Sequence, residues 1–171
     1  MKQLLPYSKQ IVEHFKRPRN MGRIENPDAL GEAGNLVCGD VMRLYLNIGE
    51  KDGKKVIKDV RFETFGCIIA IANCSMLTTM IKGKTLEEVM KIKKEDLIKK
   101  LGKPLPEIKI HCSILALDAL HEALYNYYLK NKLTVPKELK KEHERIKKTL
   151  KEVEHRHKDL VDMERKILEK D

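Results

Sequence analysis

Three short clusters hold the residues of this chain best suited to chemistry: Cys38-Gly39-Asp40, Gly66-Cys67 and His111-Cys112. They supply three thiols, one carboxylate and one imidazole. Such a soft, thiolate-dominated set suits zinc or an iron–sulfur cluster, not magnesium or calcium, which take oxygen ligands. None of the clusters is a CxxC pair, so only the completed fold can bring the ligands together. Three thiolates can hold one side of a small iron–sulfur cluster, with His111 or Asp40 making the fourth bond. Imidazole and carboxylate are weaker partners there than a fourth thiolate, so the site suits a cluster that forms and then leaves. The same ligands would hold Zn2+ in a tetrahedron, and residue type alone leaves both metals open. The fourth thiol, Cys74, lies about two helical turns past Cys67, roughly 10 Å along a helix, and reads as core.

Hydropathy and turn signals outline the elements that must position these residues. Residues 7–15 form a short amphipathic helix stopped at Arg17-Pro18. Residues 20–37, rich in Gly, Asn and Pro, read as a loop leading to Cys38. Residues 41–48 and 56–65 alternate apolar and polar, and the polar turn at 50–54 makes them an antiparallel hairpin. The hairpin puts Cys38, before the first strand, beside Cys67, after the second. Residues 68–81 read as a buried helix closed by Lys82-Gly83. Thr85 and Glu88 form a capping box for the next helix, and residues 95–101 form another, ended by Gly102. Residues 113–130 carry apolar positions at helical spacing, with His111-Cys112 at the helix mouth. A helix N-terminus lowers a nearby thiol pKa, so Cys112 is expected to be the reactive thiol. After Pro136 the chain becomes one long charged helix with an apolar residue every seven: Leu139, Ile146, Val153, Leu160 and Ile167. That stripe suits packing on the domain, a coiled coil or a partly frayed helix. His14 and His121 read as surface or packing residues, and His143, His155 and His157 as part of a solvated helix face.

The fold class is therefore α+β: a small antiparallel sheet against several helices, with an added charged C-terminal helix. The expected division is a domain over 1–133 and a helical extension over 134–171. The chain has 171 residues and a formal charge of +9, with 36% charged residues. Acids are interleaved with the bases and aromatics are few, which argues against nucleic-acid binding and for an ionic surface rich in Lys and Glu. No stretch approaches the roughly 20 apolar residues of a membrane span, and the N-terminus lacks the apolar region of a secretory signal. A cytoplasmic location and reduced thiols are expected.

At these clusters the chain resembles the IscU-type iron–sulfur cluster assembly scaffolds, related to the N-terminal module of NifU. Pro18-Arg19-Asn20-Met21-Gly22 is similar to that family's PRNxG, and Cys38-Gly39-Asp40 to its CGD segment. Phe62-Glu63-Thr64-Phe65-Gly66-Cys67 and Ile110-His111-Cys112-Ser113-Ile114-Leu115-Ala116 resemble its second and third cysteine motifs. The resemblance runs from about Tyr7 to Tyr128. It implies an α+β scaffold, not a turnover enzyme, that builds a [2Fe–2S] cluster from Fe2+ and sulfur and passes it to apo-proteins. It implies Cys38, Cys67 and Cys112 as cluster or metal ligands, with Asp40 and His111 beside them and Zn2+ as an occupant of the cluster-free site. Cys112 would accept persulfide sulfur from a cysteine desulfurase, and Asp40 would keep the cluster labile. Lys109 would pair with Asp40 when no metal is bound. The alternative is a zinc-dependent SufU-like sulfurtransferase, but those proteins carry an insertion before the third cysteine and lack its preceding His. The chain departs from the family at Ile68-Ile69, where Gly-Ser is usual, and at Glu107 in Leu105-Pro106-Glu107-Ile108-Lys109. There a proline of the chaperone-docking stretch is lost, which weighs against an Hsp70-type partner. A homo-oligomer is a further open expectation.

Overall fold

Two 12-residue strands form the frame of the molecule: β2 (Asp40–Lys51) and β3 (Lys54–Phe65). The computed structural model describes residues 7–35, 39–102 and 110–168. Asp52-Gly53 turns the chain between the strands with both φ angles positive, 51° and 71°. A two-residue turn of this kind matches the natural twist of a hairpin. Met42, Leu44 and Leu46 of β2, with Val60 and Phe62 of β3, point into the core at 0–2% exposure. The alternation expected over these segments is borne out, up to an irregularity at Asn47/Ile48.

The expected loop over residues 20–37 contains a third strand, β1 (Ala29–Asn35), paired antiparallel to β2. Its sequence, ALGEAGN, has little β-propensity. Its small residues serve another purpose, because β1 lies directly under a helix. A Cβ on Gly31 would stand 1.9 Å from the Ala119 carbonyl oxygen and 2.3 Å from the Ala123 nitrogen. Only glycine allows that approach. Strand order is β1-β2-β3. The outer edge of β3 is covered by the Pro18–Gly22 motif: Phe62 N–H donates to the Asn20 carbonyl at 3.0 Å, and Gly22 N–H to the Phe62 carbonyl at 2.8 Å. Asn20 holds a left-handed φ of 61° to make this contact. The motif therefore protects an edge that would otherwise pair with other chains.

The helices are α1 (Lys9–Lys16), α2 (Ile68–Ile81), α3 (Leu86–Met90), α4 (Lys94–Leu101), α5 (Ile110–Lys130) and α6 (Lys137–Leu168). Ser8 caps α1, and Thr85 with Glu88 forms the expected capping box of α3. Helix α2 is buried on nearly all sides, from Ile69 to Thr78. Its polar residues are paired: Ser75 Oγ contacts His14 Nδ1 at 2.7 Å and accepts from Arg19 N–H at 2.8 Å. Helix α6 packs on α5 through Leu139 and Ile146, 2% and 4% exposed. The first two positions of the apolar stripe are thus used within the chain.

His143 departs from the expected solvated face. It is 8% exposed, stacks on Tyr125 at 3.7 Å between ring centroids, and its Nδ1 meets Glu122 at 2.8 Å. Arg145 of α6 donates to Asp118 of α5 and to Glu142. His155 is exposed, and the His157 side chain lies outside the described residues.

Candidate metal centre

The ends of β2 and β3 and the starts of α2 and α5 meet at one point. Asp40 opens β2, Cys67 is the N-cap residue of α2, and Cys112 lies in the first turn of α5. One carboxylate oxygen and the two sulfurs lie within 4.8 Å of one another. The Cys67 and Cys112 sulfurs are 3.8 Å apart, and the Cys112 thiol donates to Asp40 Oδ2 at 3.6 Å. The register explains the meeting: Val41 pairs with Phe65, so the chain entering β2 lies beside the chain leaving β3. Cys38 and Lys109, with the Leu105–Lys109 stretch, lie outside the described residues.

Gly66 makes room for the carboxylate. A Cβ there would come within 3.1 Å of the Asp40 carboxyl and 2.9 Å of the Ala70 side chain. Asp40 is only 5% exposed, and among the described residues no cation pairs with it. A buried carboxylate in that position is costly unless something cationic meets it. His111 adds a second unmet group: its Nε2 is buried with no hydrogen-bond partner among the described residues. Among the described residues the grouped donors are Asp40, Cys67 and Cys112, a set whose chemistry suits a metal ion, and His111 is not among them.

Cys112 is not the low-pKa thiol expected at a helix mouth. It is fully buried, and burial pushes its thiol up, followed by the neighbouring Cys67 and Asp40. Desolvation and like charge outweigh the helix N-terminus here. Cys67 is the half-buried thiol of the pair. Cys74 is core as expected, 3% exposed, and its thiol is raised by burial and then by the charges of Cys112 and Asp40. It stands behind the site. His14, read as a surface or packing residue, is buried at 3% exposure, and its imidazole pKa is lowered by burial and by the Arg19 guanidinium.

One polar pair beside the site was missed from sequence. Asn73 and Ser113 are both fully buried, and the Ser113 hydroxyl donates to Asn73 Oδ1 at 2.8 Å. Asn73 in turn donates to the Ile69 carbonyl at 2.8 Å. The available signal was an amide in the middle of an otherwise apolar helix.

The sheet, the helix pair and the thiol–carboxylate group define a small α+β protein with two thiols and a carboxylate grouped so that they could hold a metal ion. Residues 6–134 match the family described as NifU-like N terminal domain. The chain is 48% identical over 145 residues to iron-sulfur cluster assembly scaffold protein IscU 1 of Archaeoglobus fulgidus, covering 83% of this chain and 92% of that protein. It is 42% identical over 124 residues to the scaffold protein IscU of Aquifex aeolicus, covering 72% of this chain and 77% of that one. Among solved structures, a putative iron-sulfur cluster assembly scaffold protein for the SUF system from Fervidobacterium islandicum superposes with a TM-score of 0.57 at 30% identity, covering 69% of this chain and 96% of that chain. The chain belongs to the IscU/NifU N-terminal family.

Proposed function

We propose that this protein is a scaffold on which [2Fe–2S] clusters are assembled and from which they pass to apo-proteins. The observation that carries the reading is the convergence of Asp40, Cys67 and Cys112 at one end of the hairpin, in a chain whose relatives bear the scaffold name. In this reading Cys38 is the third thiolate, with His111 and Asp40 as candidates for the remaining bond. Iron and sulfur are the cargo, and Zn2+ is an occupant of the cluster-free site. Helix α6 is read as an extension to the scaffold domain proper.

The chemistry follows from the protonation state. Cys112 holds its proton in the cargo-free site and points it at Asp40. Loading exchanges that proton for metal and releases it from the site, which leaves Asp40 ionised. Cys112 would also accept sulfur. Its sulfur attacks the outer sulfur of a persulfide on a cysteine desulfurase, whose own cysteine leaves as a thiolate. Asp40, once deprived of the thiol hydrogen bond, is the hard ligand in a soft set and the first to let go.

No described helix is long and apolar enough to cross a membrane. The location proposed is the cytoplasm. The proposed protein partners are the desulfurase and the recipient apo-proteins.

Anaerobic purification followed by a visible spectrum and metal analysis tests the reading. The expected protein takes up iron and sulfide and shows thiolate-to-iron absorption. A colourless protein with one tight zinc, unable to accept iron and sulfide, would make it a zinc-dependent sulfurtransferase instead. Asp40→Ala is expected to lengthen the life of the reconstituted cluster in air or against a chelator. Decay as fast as in the unsubstituted protein would count against Asp40 as the labile element.

A further inference from the structure

We infer that the buried Asn73–Ser113 pair is the strut that sets the spacing of the Cys67 and Cys112 thiols. Asn73 reaches in two directions. Its amide donates to the carbonyl of Ile69, in the first turn of α2 and two residues past Cys67. Its oxygen accepts from the hydroxyl of Ser113, in the first turn of α5 and next to Cys112. A single side chain therefore joins the two helix starts that carry the thiols. Besides the contact between the two thiols themselves, Ser113–Asn73 is a side-chain hydrogen bond that joins these two helices.

Placement gives the bond its leverage. Both residues are fully exposed to the core and to nothing else, at 0% solvent exposure. In such surroundings a hydrogen bond is electrostatically strong, and its loss leaves the partner unmet. The buried hydrophobic residues near it in sequence include Ile69, Ala70, Ala72 and Leu77 of α2 and Ala116 and Leu117 of α5, all in the one core. Apolar packing holds α2 against α5 but is non-directional, and it tolerates small sliding of one helix along the other. The Asn73–Ser113 bond is directional and fixes that slide. Its ends lie close in sequence to the two sulfurs, which stand 3.8 Å apart. The pair is a positioning device, since neither side chain touches the cargo site itself.

The role rests on the scaffold reading only where cargo is concerned, and the test separates the two. The primary readout is the rate at which diamide, a two-electron thiol oxidant, links Cys67 to Cys112 in the full-length metal-free protein, followed by peptide mass mapping. Misplacement by about 1 Å lowers the rate of a proximity-driven step by up to 100-fold. Ser113→Ala is expected to slow this link about tenfold, and Ser113→Thr, which keeps the hydroxyl, to restore it. Asn73→Ala/Ser113→Ala removes both polar groups, so no buried partner is left unpaired and stability should recover. The link should nevertheless stay slow in the double variant. A link as fast as in the natural protein in Ser113→Ala, or one that recovers with stability in the double variant, would overturn the strut. A slow link in a protein that takes up no iron and sulfide would uphold the strut and count against the scaffold reading.

Discussion

Gly31→Ala tests the contact that holds β1 under α5. The added methyl would sit 1.9 Å from one backbone atom of α5 and 2.3 Å from another. Ordinary contact begins at 3.4 Å, so strand and helix must part by about 1.5 Å. Neither obstacle is a flexible side chain that could swing away. Overpacking a core costs about 1–3 kcal/mol, and two backbone obstacles put this site at the upper end. Replacing glycine gives back roughly 0.5–1 kcal/mol by restricting the unfolded chain. The net loss is about 2–2.5 kcal/mol, which for a chain of this size lowers Tm by roughly 4–10 °C. Gly34→Ala in the same strand is the internal control. Its nearest neighbours would be 3.9 Å away, so it should leave Tm unchanged or slightly raised. Thermal unfolding followed by far-UV circular dichroism reads both. A Gly31→Ala protein melting within 2 °C of the natural one would refute the packing of β1 on α5.

The buried His14 predicts a pH dependence with a definite sign. Its folded pKa lies below 6.5, lowered by burial and then by Arg19, so the unfolded chain takes up a proton that the folded one refuses. Stability from this residue is present above pH 6.5 and declines as pH falls through that value toward the folded pKa. Urea midpoints at pH 7.5 and 5.5 should show natural protein losing ground to His14→Gln at the lower pH; parallel values would refute it. Arg145→Ala should cost about 1–2 kcal/mol, since Asp118, its side chain 14% exposed, loses its cation, while Arg145 itself is 43% exposed. Asp118→Asn added to Arg145→Ala should regain most of the loss, and a double variant no better than the single would show that the charge is not the cause.

The hairpin was legible because one face of each strand is buried, and burial on one face writes an alternating pattern. The grouping of Asp40, Cys67 and Cys112 was legible because few residue types do thiolate chemistry, and a hairpin brings its two ends together. Strand β1 was not legible. Its Gly and Ala residues are chosen for closeness to α5, a tertiary demand that looks like a loop in sequence. The state of Cys112 was misread because a helix mouth and a buried pocket push a thiol in opposite directions, and only the fold shows which is stronger. His143 was misread because periodicity shows that α6 has an apolar stripe without showing that Glu122 and Tyr125 of α5 wait beside it.

The three grouped donors are far apart along the chain: Asp40 and Cys112 are separated by 72 positions, and Cys67 and Cys112 by 45. Only the finished fold brings these three donors together. In the proposed reading a metal bound there would stabilise the fold by mass action, by about 2.7 kcal/mol at one hundred times its dissociation constant. In that reading the three donors would be assembled for metal only in a chain that has closed both helices onto the hairpin.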